Sequence, residues 1–119
     1  MKRGDVVIVD WPFVRPVGSR HAKPRPALVI QNNFDNARLT NTILAMITSV
    51  TRRALEPTQL LIEIAMPEGK LTGLRQDSVV NCINLMTVEQ IKVLHTIGTF
   101  SAALMLQVTD CLKVALELP

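Results

Sequence analysis

Short apolar runs broken by turn signals constrain this chain more than any other feature. Val6-Val7-Ile8-Val9 is a continuous β-branched run, and Ala27-Leu28-Val29-Ile30-Gln31 is another. Further runs cover residues 42–49, 60–64 and 77–83, with a shorter one at 93–97. Each is too short for a stable buried helix and is bounded by Gly, Pro, Asn or Asp, so the pattern predicts strands of an antiparallel sheet. Residues 32–36, which hold three asparagines, and the segment Pro67-Glu68-Gly69-Lys70 read as turns. Only after Ser101 does the spacing change. Leu104, Met105, Val108, Leu112, Ala115 and Leu116 recur at three- and four-residue steps, and Ser101 is a suitable N-cap. The expected architecture is a mainly β chain, a small barrel or sandwich, with one C-terminal amphipathic helix packed on it.

A chain of 119 residues is long enough to bury a core, and a single domain over residues 1–119 is expected. No apolar run approaches the roughly 20 residues a spanning helix needs, so no membrane is implied. Met1 to Asp5 run straight into the first strand without a signal-peptide core, which points to the cytoplasm. Cys82 and Cys111 stand isolated in apolar contexts and read as two reduced, buried thiols, not as a disulfide or a metal set. Charge is uneven: residues 1–53 carry nine Lys and Arg against three Asp and Glu, while residues 54–119 carry four against seven. The basic half therefore favours an anionic partner. Its densest stretch joins the first two strands, where Arg15, Arg20, His21, Lys23 and Arg25 occur with no acidic residue among them. Pro24 and Pro26 stiffen the backbone on either side of Arg25, so this guanidinium is held at the mouth of a strand and suits a phosphate group.

Taken in order, the segments Arg3-Gly4-Asp5-Val6-Val7, Arg25-Pro26-Ala27-Leu28-Val29-Ile30, Ile47-Thr48-Ser49, Asp77-Ser78-Val79-Val80, Met86-Thr87-Val88 and Ile97-Gly98 resemble the MazF/PemK family of toxin endoribonucleases. The match covers nearly the whole chain. The resemblance implies an SH3-like small β-barrel with a C-terminal α-helix and a homodimer. It implies metal-independent cleavage of single-stranded RNA with no cofactor, and a cognate antitoxin whose acidic, flexible segment occupies the RNA groove.

By that resemblance Arg25 and Thr48 fall on the family's catalytic arginine and threonine. Arg25 suits charge stabilisation because its planar fork binds two phosphate oxygens and keeps its proton. The Thr48 hydroxyl would hydrogen-bond the scissile phosphate, although a threonine at a strand end is also an ordinary β-former. Some family members add a histidine and a glutamate in the first loop and an arginine-aspartate pair on a later strand. Those positions fall here on Ser19, Arg20, Asn81 and Ile83, none of which can take the same acid-base role. His21, close by in the loop, is a candidate base or acid. His95, set among Val93, Leu94 and Ile97, reads as structural. Arg15, Ser19, Arg20, Lys23, Asn81 and Trp11 are candidates for contacting RNA or antitoxin. Two distant histidines and two distant cysteines offer no metal site. A different class stays open at this point: a non-catalytic toxin or binding module of the same fold, akin to gyrase poisons, or a degenerate antitoxin-binding protein.

Overall fold

The computed structural model describes residues 1–10 and 24–119. Among them, six strands form one antiparallel sheet: β1 (Asp5–Asp10), β2 (Pro24–Val29), β3 (Asn41–Thr48), β4 (Gln59–Ile62), β5 (Ser78–Glu89) and β6 (Val93–Thr99). The order across the sheet is β4-β5-β3-β2-β1-β6. Three α-helices, α1 (Asn33–Arg38), α2 (Pro67–Lys70) and α3 (Ala102–Leu116), and a 3-10 turn at Gln90–Lys92 complete the described chain. The sheet curls around a core shared by Val6, Leu28, Ile47, Ile62 and Val80 with Leu104, Met105 and Val108 of α3. Each fully buried aliphatic side chain of this kind contributes roughly 1.5–3 kcal/mol. A second cluster, Val7, Val9, Ala27, Val29 and Leu44, covers the opposite face of β1, β2 and β3. Adjacent residues such as Val6 and Val7 are thus buried on opposite faces, which is why these runs are continuously apolar instead of alternating.

The expected mainly β fold with a C-terminal helix is present. Its barrel-like curl is completed without a closed hydrogen-bond ring, because β4 and β6 remain the ends of the sheet. The connection before β5 instead crosses over β6, where the Thr99 N–H donates to the Leu71 carbonyl at 2.9 Å. Gly73 makes that crossing with φ +75°, and a Cβ there would collide with the Ile97 carbonyl.

Several boundaries differ from the sequence expectation, each for a physical reason. Residues 33–38 form a short helix, not a turn, because the Asn32 side chain caps it by accepting the Asp35 N–H at 2.8 Å. Pro67 likewise starts the single turn of α2. β5 extends to Glu89, well past residue 83, because the extra residues between Asn81 and Leu85 bulge out while both halves stay paired with β3. Ser101 does cap α3, accepting the Leu104 N–H at 3.1 Å, but Leu116 at its end is 54 % exposed. Cys82 and Cys111 are free and buried. They are not isolated, since both belong to one buried cluster, and burial pushes Cys82 up to about 12. The Arg3-Gly4-Asp5 segment is structural: Arg3 donates from Nε to the Ile30 carbonyl at 3.1 Å and from its guanidinium to Thr109 at 3.3 Å, tying β1 to α3. Among the described residues no helix is long and apolar enough to cross a membrane.

Candidate functional site

The two prolines flanking Arg25 open the site. β2 pairs with β1 along residues 24–28 but with β3 only from Ala27 onward. Proline has no N–H to offer a second neighbour, so the Pro24 to Pro26 stretch has a partner on one side alone. β2 and β3 therefore separate beyond the Ala27–Met46 pair. The space between them is a cleft of about 580 Å³. Pro24, Arg25 and Pro26 line one bank and residues 46–50 the other, while the Gly73 to Gln76 connection, Ser78 and the β6 residues His95 and Ile97 complete the wall.

Ile8, Pro26, Ile47, Leu74 and Ile97 supply the apolar part of the lining, and Arg25, Thr48, Arg75 and Gln76 supply polar groups. Arg25 and Arg75 bring positive charge, and no Asp or Glu is among the lining residues. The cleft thus presents a cationic field to any ligand. Arg25 is half-buried, and its Nε is buried without a hydrogen-bond partner among the described residues. An unpartnered buried donor is costly, about 1–3 kcal/mol, and points to an acceptor supplied by a ligand. On the other bank the Thr48 hydroxyl accepts the Val50 N–H at 3.1 Å. That bond turns the chain at the end of β3 and leaves the hydroxyl proton free to donate.

Arg25 and Thr48, far apart in sequence, thus line one cleft. Asn81 is not among the lining residues; its carboxamide oxygen accepts from Gln59 at 3.0 Å and from the Ile83 N–H at 3.1 Å. Ile83 is 58 % exposed on β5. Trp11, Arg15, Ser19, Arg20, His21 and Lys23 lie outside the described residues. Sequence reasoning passed over Arg75 and Gln76 and read His95 as structural. The polar pair between Leu74 and Asp77 carried a weak signal, a basic residue just before a strand. His95 carried none, because its apolar neighbours pointed to burial, whereas its side chain is exposed and faces the cleft. Among the described residues no group of three or more His, Cys, Asp and Glu is gathered that would hold a metal ion.

Residues 2–116 match the family described as PemK-like, MazF-like toxin of type II toxin-antitoxin system. The chain is 32 % identical over 118 residues to Endoribonuclease EndoA of Bacillus subtilis, an alignment spanning 99 % of this chain and 96 % of that protein. It is 38 % identical over 104 residues to Endoribonuclease MazF6 of Mycobacterium tuberculosis, covering 87 % of each. Among solved structures, an endoribonuclease in complex with its cognate antitoxin from Mycobacterial species superposes with a TM-score of 0.79 at 24 % identity, over 100 % of this chain and 97 % of that one. A MazE-MazF structure from Deinococcus radiodurans gives 0.75 at 16 % identity, over 100 % and 98 %. At such identities these structures speak for the shared fold.

Proposed function

Because the chain belongs to the PemK-like, MazF-like toxins of type II toxin-antitoxin systems, we propose that its cleft cleaves single-stranded RNA. The unpartnered Nε of Arg25, in a cationic cleft shared with Thr48, is the observation that carries this reading. RNA brings its own nucleophile, the 2′-hydroxyl, so the protein needs to supply neither an attacking group nor a metal. It must bind the phosphate, stabilise the negative charge that builds on it, and manage two protons. Arg25 addresses the first two tasks, because its fork pairs with two phosphate oxygens and acquires an acceptor for Nε only when the substrate is seated. Thr48 donates its hydroxyl proton to the same group. The apolar part of the lining suits the face of a base or sugar.

The assignment extends to partners. The same cationic cleft suits the acidic segment of a cognate antitoxin, which would order on binding and mimic phosphate. Arg15, Arg20 and Lys23, with Ser19 and Trp11, are further residues we assign to contact with RNA or antitoxin, and a homodimer in the cytoplasm is the assembly we infer.

Incubation of the purified protein with a long single-stranded RNA in EDTA tests the function. Cleavage should leave 2′,3′-cyclic phosphate and 5′-hydroxyl ends. A 2′-methoxy sugar at the cut site should block it. Ends bearing 5′-phosphate, or activity that returns only with a divalent ion, would exclude attack by the 2′-oxygen.

A further inference from the structure

Asn81 is the last residue of β5 to pair before the bulge, and the register fixes which way its side chain points. Met46 of β3 stands opposite Ala27 of β2 on one side and Asn81 of β5 on the other, so these three share one face of the sheet. Arg25 and Thr48, two residues from Ala27 and Met46, share that face too. Thr48 pairs with Val79, which puts Asn81 one diagonal step from Thr48, about 7–8 Å between backbones. The step is close to the span of one nucleotide. An RNA strand whose phosphate is seated between Arg25 and Thr48 therefore brings a neighbouring base within reach of Asn81.

The Asn81 carboxamide is held in one orientation. The Ile83 N–H, returned by the bulge, donates to its Oδ1 at 3.1 Å, and Gln59 Nε2 donates to the same oxygen at 3.0 Å. A backbone N–H can only donate, so the oxygen must face it and the amide cannot turn over. Gln59, itself buried, serves to hold that oxygen. The Nδ2 of half-buried Asn81 is neither hydrogen-bonded to another described residue nor closed off from solvent. Asn81 thus offers a ligand a donor, with its acceptor already taken.

We propose that Asn81 selects a keto base, uracil or guanine, next to the scissile phosphate, a specificity that rests on the RNA cleavage proposed above. Uracil presents its O4 and guanine its O6 to such a donor, whereas cytosine and adenine present the amino groups N4 and N6 at the corresponding place, setting donor against donor. One hydrogen bond made in the first case and refused in the second is worth about tenfold in kcat/KM.

The test is cleavage of a randomised single-stranded RNA by the full chain, N81D and N81L, with the bases on either side of each cut read by sequencing the products. For the unaltered protein, uracil and guanine should outnumber cytosine and adenine by about tenfold at one flanking position. Aspartate keeps both accepted hydrogen bonds and turns the outward donor into an acceptor, so N81D should favour cytosine and adenine there, whatever its overall rate. N81L should show no preference at that position, and the rest of the cleaved motif should be the same for all three proteins. For a variant too slow to sequence, the same ratios are read from binding of 2′-methoxy RNAs that differ in that base alone. A merely structural asparagine would change the rate or the melting temperature without exchanging one class of base for the other. A keto preference that persists in N81D and N81L, or no keto preference at either flanking position in the unaltered protein, overturns the assignment while leaving RNA cleavage itself standing. Absence of RNA cleavage by the unaltered protein overturns both.

Discussion

Replacing Arg25 by methionine should make the protein more stable and nearly inactive at once. Methionine keeps the length and apolar stem of the side chain while removing the guanidinium. One donor, Nε, is buried without a hydrogen-bond partner among the described residues. An unsatisfied buried donor costs about 1–3 kcal/mol, and the half-exposed state of the residue puts Arg25 at the lower end. R25M should therefore gain about 1 kcal/mol, equivalent to roughly 4 °C in melting temperature for a chain of this size. Cleavage of a fluorogenic single-stranded RNA should fall by about 10²-fold or more, the usual effect of deleting a group aimed at developing charge. R25K should recover little, because an ammonium does not reproduce the two-pronged contact. Thermal melts in EDTA, with and without a non-cleavable 2′-methoxy RNA, read both effects: the RNA should raise the melting temperature of the unaltered protein and leave that of R25M unmoved. A melting temperature that drops in R25M would refute the reasoning, since it would mean that the guanidinium is satisfied within the fold and held there for structural reasons.

Thr48→Val keeps the shape of the side chain and loses the hydroxyl, and should lower cleavage by about 10- to 100-fold, the worth of one hydrogen bond to a charged group; Thr48→Ser should retain most activity, and equal rates for all three proteins would reduce Thr48 to a strand-end packing residue. Gly73→Ala forces φ +75° on a residue with a Cβ and drives that Cβ into the Ile97 carbonyl, so urea denaturation should show a loss of about 1–3 kcal/mol; an unchanged midpoint would mean that the crossing over β6 adjusts freely. Cys82, raised to about 12 by burial beside Cys111, stabilises the fold fully below the unfolded thiol value of about 8.5 and progressively less as the pH rises toward 12. Denaturant midpoints measured between pH 8 and 10.5 should therefore decline more steeply for the unaltered protein than for Cys82→Ala, and parallel declines would assign the loss to other groups.

Half of the candidate site was legible. Arg25 stood out because Pro24 and Pro26 bracket it, whereas Thr48 was singled out only by the family resemblance. That the two share a cleft depends on where β2 and β3 separate. The prolines set that point by withholding donors from β3, an effect visible only once β3 is known to be the neighbour. His95 was read as structural from its apolar neighbours and is exposed instead, because local hydrophobicity reports average burial, whereas a strand at the sheet end points successive side chains to different surroundings. Cys82 and Cys111 looked isolated at a separation of 29 positions, yet the packing of α3 against β4 and β5 brings them together.

The sequence by itself determined the elements whose signal is local: the buried strands, from continuous β-branched runs, and the start of α3, from the Ser101 hydroxyl within reach of the Leu104 N–H. It also determined the basic character of the N-terminal half. Tertiary structure decided what depends on two distant segments at once. The β5 bulge is tolerated because β3 continues to pair on both sides of it, and the short helix at residues 33–38 is held by the Gln31, Asn36 and Thr42 hydrogen bonds that seat it beside β3. Gly73 is required because β6 passes beneath it. Propensity and periodicity act over a turn or a strand, whereas register, close approach and the shared lining of a cleft arise only when the chain meets itself.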